Sequence, residues 1–321
     1  MISVVICAHT ERRWDDTLAA IQSVRDQSHP AGEIILVVDH HPELFAAFLA
    51  ELPDVRVVEN QEARGLSGGK NTGVALATGE VVAFLDDDAV AEPDWLKFFV
   101  DSYTDPQVIG VGGLTLPRWE RARPMWFPPE FDWVVGCNYL GMPNSGEPVR
   151  NLLGGNASFR RDAFEKAGGF RNGIGRSASK RPLGCEETEF CIRLTQIDPE
   201  AILVIDHRSI IWHWVPEDRC RFRYFLSRCY AEGLSKSMVT SSVGPQDGLA
   251  SERNYVFRTL SRAVIGGVGR ALLGDASAGL RAAAVTAGLA ATTVGYLDGS
   301  LSASLTRWRR PSGIASAPKQ V

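Results

Sequence analysis

No two of the six cysteines, Cys7, Cys137, Cys185, Cys191, Cys220 and Cys229, have C-x-x-C spacing. Zinc-ribbon and dithiol redox chemistry therefore lack support, and scattered thiols in a chain this long fit free cysteines in a reducing compartment. A large excess of one charge is also missing. The net charge is -4, which gives no electrostatic case for DNA or RNA as a partner. Long apolar runs are absent too. The most apolar tract, Ala282 to Leu297, has 16 residues between Arg281 and Asp298. A spanning helix needs about 20. A packed or surface amphipathic helix is expected there, with contact to a membrane surface as the alternative. No basic n-region or cleavage site precedes the first strand, so no signal peptide is expected. No internal repeat is visible. What remains is ordinary globular composition, 45% hydrophobic over 321 residues, enough for one large domain or two modest ones.

The most informative stretch present is Val81-Val82-Ala83-Phe84-Leu85-Asp86-Asp87-Asp88. An apolar run without alternation reads as a strand buried on both faces. Three carboxylates then end it. At about 4 Å, two like charges repel by roughly 1 kcal/mol in water and roughly 4 kcal/mol at an effective dielectric of 20. A cation offsets that repulsion. Ligands of open α/β sheets bind beyond the carboxyl ends of the strands. The run therefore predicts a hard divalent metal and, through it, a phosphate.

Strand and helix signals alternate around this run. Strands are predicted at Ser3–Cys7, Ile34–Val38, Val55–Glu59, Val81–Leu85 and Val108–Leu114. Helices are predicted at Asp15–Gln27, Glu43–Leu52, Lys70–Ala77 and Asp94–Tyr103. The rhythm implies a mostly parallel sheet with right-handed crossovers. Pro117 to Val149 reads as a long irregular segment rich in aromatics, and such loops are usually functional. Short strands resume at Leu203–Ile205 and Ile210–Trp212, and a helix at Arg221–Glu232. From Gly233 the composition drifts to Ser, Gly and Ala, and the tail after Pro311 is expected to be disordered.

Several constellations carry chemistry. Asp39, at the end of the second strand, can accept hydrogen bonds from a base or ribose or cap the following helix. The stretch Glu62 to Gly73 places glycines and Lys70 ahead of a helix, an arrangement able to cradle phosphate. It is neither a Walker A loop, because Asn71 follows Lys70, nor a G-x-G-x-x-G turn, so a plain flexible turn is the competing reading. Gly154-Gly155-Asn156 allows close backbone approach to a ligand. Glu186-Glu187-Thr188-Glu189 opens a helix. Acids favour a first turn, but three in four positions exceed that need, and one of them can serve as a general base. His213, in an apolar setting, reads as structural on its residue type alone.

In order and spacing these motifs resemble family 2 glycosyltransferases of the GT-A fold over roughly residues 1–235. The residues concerned are Val4 to Thr10, Asp39, Arg64-Gly65, Lys70 to Gly73, Asp86 to Asp88, Gly154 to Asn156, Gly168-Gly169-Phe170 and Glu186 to Glu189. The resemblance implies an α/β, Rossmann-like sheet, with a nucleotide-binding half at 1–115 and an acceptor half at 116–235. A helical extension at 236–321 would follow. It implies that Ala8, Thr10 and Asp39 hold the nucleobase, usually uracil. Glu11, Arg64, Gly65, Lys70, Asp87, Gly155 and Asn156 would complete the donor pocket. Asp86 and Asp88 match a D-x-D motif, with Asp88 binding Mg²⁺ or Mn²⁺, Asp86 meeting ribose or metal, and His213 completing the metal site. Glu187 aligns with the catalytic acid and would deprotonate the acceptor for inverting attack. The chain departs from the family pattern at Ala8-His9-Thr10-Glu11, at Lys70 in place of arginine, and at Glu187 in place of aspartate.

The Gln-x-x-Arg-Trp signature of processive synthases is absent, so transfer of a single sugar is expected. Arg219, Arg221, Arg223 and Arg228 can meet donor phosphates or an anionic lipid acceptor, or form a solvated basic face. Trp126, Trp133 and Tyr139 can stack on a sugar. The wording Asp132 to Cys137 resembles enzymes passing glucuronate or glucose to lipid-linked glycans. The expected partners are a nucleotide-sugar, a glycan or polyprenyl-linked acceptor, and no nucleic acid. The expected location is the cytoplasm, with peripheral membrane contact through the C-terminal extension. Two rivals are a nucleotidyltransferase and a non-catalytic sugar-nucleotide-binding module. The first wants a glycine-rich loop that Ala8 to Arg13 does not supply.

Overall fold

The computed structural model describes residues 1–174, 183–248 and 250–308; the tail after Pro311 lies outside them. The sheet-forming part runs β1 (Ile2–Ala8), α1 (Trp14–Arg25), β2 (Glu33–Val38), α2 (Pro42–Glu51), β3 (Arg56–Glu59), α3 (Leu66–Leu76), β4 (Val81–Asp86), β5 (Ala89–Ala91), α4 (Trp95–Ser102), β6 (Val108–Trp119), β7 (Asn156–Arg160), α5 (Arg161–Ala167), α6 (Glu186–Ile197), β8 (Ile202–Val215) and α7 (Phe222–Val243). The eight strands form one sheet in the order β3-β2-β1-β4-β7-β6-β8-β5. Its first four positions are parallel. Alternate side chains feed two cores. Val4 and Ile6 of β1 join Leu44, Phe48 and Trp95 on one face, and Val5 joins Phe84, Phe159 and Phe190 on the other. Burial on both faces is why these strands read as apolar runs.

Four expectations need correction. First, Asn156–Arg160 is a strand that the sequence pattern does not predict, because the glycines ahead of it dominate; β7 runs antiparallel to β4 and β6, and β5 antiparallel to β8, within the mostly parallel sheet that is expected. Second, the two short strands after 200 are one strand of 14 residues. Its polar middle, where Asp206 pairs with Arg208 and Ser102, hid the continuity. Third, α3 begins at Leu66 rather than Lys70, so Gly68 and Gly69 lie inside the helix rather than before it. A Cβ at Gly73 would overlap Val5, so the glycines let α3 pack close to β1.

Fourth, the aromatic middle segment is not an open loop. Residues Pro129–Val135 form a 3₁₀ helix. Phe127, Phe131 and Phe225 are fully buried with Val285 in a third core. Trp126 packs edge-on against Phe222 and Phe225, Trp133 tilts against Phe131, and Tyr139 meets Tyr255. These rings pack the core that joins α7 to the C-terminal helices. Those helices are α8 (Pro245–Gly248), α9 (Ala250–Asn254), a π-helical turn at Tyr255–Leu260, α10 (Ser261–Leu272) and α11 (Ala276–Trp308). The expected apolar helix therefore exists but is 33 residues long.

Candidate active site

Strand pairing assembles the site at the carboxyl edge of the parallel strands. Register places Cys7 beside Asp86 and Ala8 beside Val38, so the ends of β1, β2 and β4 share that edge. β7 enters from the same edge in the opposite direction and pairs Leu85 with Asn156. Gly155 thereby lies against Asp86, and a Cβ at Gly155 would collide with both Asp86 carboxylate oxygens. A Cβ at Gly154 would sit 2.8 Å from Lys70 Nζ and 3.2 Å from Glu187 Oε2. The two glycines thus mark where the acidic strand end meets the Lys70 and Glu187 pair. The ladder of β5 and β8 pairs Ala89 with His213, and Trp214 N donates to Asp88 O at 2.8 Å. That ladder carries His213 to Asp88.

Asp86, Asp88 and His213 each offer a ligand atom, and these atoms lie within 4.8 Å of one another. His213 Nε2 is 3.1 Å from Asp88 Oδ1. The buried His213 Nδ1 and one oxygen of Asp87 have no hydrogen-bond partner. Two carboxylates and an imidazole suit a hard to borderline divalent cation such as Mg²⁺ or Mn²⁺. The residues present therefore fit the metal that the sequence predicts.

Two arginines also stand here. Arg13 Nη1 is 2.5 Å from Asp87 Oδ1, Arg13 Nη2 is 2.8 Å from Asp88 Oδ2, and Arg219 Nη2 is 3.4 Å from the same oxygen. Burial alone would raise both carboxyls. At Asp88 the His213 ring and the two arginines outweigh burial and hold the group well below the usual carboxylate range. At Asp87 burial prevails over Arg13, aided by the charges of Asp88 and Asp86, and the group is pushed up to about 7. Asp87 is thus buried against Arg13 and braces the strand end. Sequence reading passed over Arg13, whose only signal was a basic pair on the loop after the first strand. Of the arginine cluster, Arg219 reaches the site, Arg221 pairs with Asp218 in solvent, and Arg228 is buried near Glu232.

The second carboxylate group sits at the start of α6. Glu186, to which the sequence assigns no separate role, accepts from buried Lys70 at 3.0 Å. Burial would lower Lys70, but Glu186, Glu187 and Asp86 overcome this and hold its ammonium firmly charged. Glu187 is pushed up to about 8, first by burial and then by the charge of Glu186, against the pull of Lys70. Glu189 is different. It is fully buried between Arg193 at 2.9 Å and Arg171 at 3.1 Å, and holds α6 in place.

The remaining expected donor residues fall in two groups. Asp39 Oδ2 accepts from Gly65 N at 3.0 Å, and its Oδ1 from Asn60 Nδ2 at 2.6 Å. It thus ties the Asn60–Gly65 turn to β2, while His41 caps α2. Ala8 is buried at the tip of β1, Thr10 caps the turn that carries Arg13, and Glu11 and Arg64 are exposed. Asn156 does not face the acids. Its amide oxygen accepts from Trp95 Nε1 at 2.7 Å and its nitrogen donates to Ser209 O at 3.3 Å, which locks β7 to α4 and β8.

Comparison with known proteins bears on this arrangement. Residues 3–168 match the model of glycosyl transferase family 2. A glucosyl-dolichyl phosphate glucuronosyltransferase of Haloferax volcanii is 35% identical over 242 residues, covering 74% of this chain and 77% of that protein. Among solved structures, a mannosyltransferase from Pyrobaculum calidifontis in complex with GDP-Man and Mn²⁺ superposes with a TM-score of 0.58 at 17% identity. It covers 92% of this chain and 86% of its own. GalNAc-T7 with UDP, GalNAc and Mn²⁺ gives 0.50 at 20% identity over 67% of this chain and 43% of its own. The mixed sheet with its D-x-D strand end is thus a GT-A fold, the enzyme class is glycosyltransferase, and the chain belongs to glycosyltransferase family 2.

Proposed function

We propose that this enzyme transfers one sugar, of glucose or glucuronate type, from a UDP-sugar to a hydroxyl of a polyprenyl-phosphate-linked glycan, with inversion at the anomeric carbon. The observation that carries the reading is the meeting, at Gly154 and Gly155, of a metal-type cluster and a desolvated carboxyl. Asp86, Asp88 and His213 would hold the cation, which neutralises charge on the departing diphosphate. Ala8, Thr10, Glu11, Asp39, Arg64 and Gly65 line the approach for the nucleoside. Lys70 and Arg219 supply fixed positive charge beside the phosphates. Glu187 takes the proton of the acceptor hydroxyl as the new C–O bond forms and the bond to the diphosphate breaks. A base whose pKa lies near ambient pH suits that step. The name of the Haloferax volcanii relative supports both the glucuronate donor and the lipid-linked acceptor. Such an acceptor supports an enzyme working at a membrane surface, on the cytoplasmic face in our reading.

The test is a thermal-shift panel of UDP-, GDP- and dTDP-sugars with and without Mn²⁺, followed by product analysis with a short-chain polyprenyl phosphoglucoside. Stabilisation by a UDP-sugar only in the presence of metal, with one β-linked sugar added from an α-linked donor, is the expected outcome. Stabilisation that ignores metal, or a retained anomeric configuration, would overturn the assignment.

A further inference from the structure

The hairpin of α10 and α11 is built inside out for a water-facing element. Its inner seam is made of small residues. A Cβ at Gly267 would lie 2.8 Å from Ala282 Cβ and 2.9 Å from Ala278 O, and one at Gly279 would lie 3.0 Å from Ala271 Cβ. The helices therefore meet backbone to backbone, with no room between them for large side chains. Those side chains are outside. Ile265, Val268 and Leu272 follow one another at i, i+3 and i+7 on the outer face of α10. Ile265 is 74% exposed and Leu272 84%, Leu273 at the tip is 89% exposed, and Phe257 in the preceding turn is 77% exposed. Val268 and Leu280 flank them, also exposed. Large apolar side chains bury the most area when covered, so a contiguous exposed set marks a surface that something covers.

The charges say what covers it. From Tyr255 to Gly274 the only charged residues are Arg258, Arg262 and Arg270, with no Asp or Glu. A chain with net charge -4 thus carries three arginines and no acid between Tyr255 and Gly274, beside these exposed apolar side chains, with Asp275 the next charge at the tip, near Arg281. Arginines bordering an apolar helical face complement anionic headgroups above an acyl layer. We infer that the α10–α11 hairpin docks on an anionic lipid bilayer, with Ile265, Leu272, Leu273 and Phe257 entering the acyl boundary and Arg258, Arg262 and Arg270 meeting lipid phosphates.

The rest of α11 fits docking rather than crossing. By length and hydropathy Ala276–Ser302 could span a bilayer. Its Gly295, however, abuts Tyr230 O of α7, Gly233 of α7 abuts Thr292 O, and Gly299 abuts Ser237, so one side of α11 is bound along α7. The hairpin is also mechanically close to the site. The segment Pro129–Val135 lays Phe131 against Gly288 of α11, and the next residue, Gly136, lies against the His213 ring.

This inference stands on the hairpin alone and is separable from the proposed reaction. The full chain is floated with phosphatidylcholine vesicles lacking or containing phosphatidylglycerol. Wild type is expected to float with the anionic vesicles. The combined Ile265→Ser, Leu272→Ser and Leu273→Ser variant is expected to lose at least tenfold in partitioning while keeping its melting temperature and its turnover of a short-chain soluble acceptor. Replacing Arg258, Arg262 and Arg270 by glutamine should abolish the preference for anionic vesicles, at about fivefold per arginine. Three results would overturn the inference. They are flotation unchanged in the serine variant, wild type dimeric with the serine variant monomeric (a second copy then covers the face), and resistance of the bound chain to alkaline carbonate, which marks a spanning helix.

Discussion

Replacing Glu187 by glutamine tests two consequences of one environment, and they have opposite signs. The carboxyl is pushed up to about 8 from an ordinary 4.5 by burial and by Glu186. As a base it is needed ionised, so Glu187→Gln should cut kcat about 10²- to 10⁴-fold. As a folded-state group it is a burden at high pH. Below pH 4.5 both folded and unfolded chains hold the proton and the carboxyl has no pH-linked cost. Between pH 4.5 and 8 the unfolded chain releases it and the folded chain does not, so wild-type stability falls as pH rises. A shift from 4.5 to about 8 sets a ceiling of about 5 kcal/mol, at about 1.4 kcal/mol per unit. Glu187 is only half-buried and Lys70 stands nearby, so roughly 1–3 kcal/mol is the realistic share. Glutamine is neutral in both states and escapes the cost. The variant should therefore melt with wild type near pH 5 and a few degrees above it beyond pH 8, read by differential scanning calorimetry. Transfer within tenfold of wild type would refute the base assignment. A melting advantage that shrinks as pH rises would refute the desolvation argument.

Three further outcomes follow from the same contacts. Gly155→Ala should fold, but the new methyl displaces the Asp86 carboxylate, and Mn²⁺ affinity by isothermal titration should fall on the order of tenfold to a hundredfold. His213→Ala should lose metal-dependent stabilisation by the donor, and its melting temperature without metal should also fall, because the buried ring's Nε2 pairs with Asp88; equal donor shifts with and without metal in wild type would contradict the metal role. Lys70→Met removes the cation that opposes the rise at Glu187, so the rising limb of the pH–kcat profile should move to higher pH, whereas a downward move would show that another group titrates.

Much of the fold is legible in one dimension because its signals are local. The apolar run Val81–Leu85 is buried on both faces as expected, and the alternation of elements through Val108 is as expected apart from the start of α3 and the short strand β5. What failed was non-local. Asn156–Arg160 is a strand because β4 and β6 pair with both its edges, and no pattern within five residues reports that. The glycines of α3 read as a phosphate loop because sequence does not show Val5 on the other side of them. The aromatic segment read as a sugar platform because its partners, Phe225, Tyr255 and Val285, come about a hundred residues later or more.

The site divides along the same line. Composition and order supplied the acids, the histidine and the family, because an acidic triplet after a buried strand costs Coulomb energy that a cation offsets. Packing decided which of them meet. His213 reaches Asp88 only through the ladder of β5 with β8, and Lys70 meets Glu186 across 116 residues. Arg13 and Arg219 join Asp88 from opposite ends of the sheet domain, and Asn156 turns away to Trp95. Antiparallel entry of β7 sets Gly155 on Asp86. Side-chain chemistry is carried by the residue type, but the field that tunes it depends on distances of a few ångströms, and only the folded chain sets those.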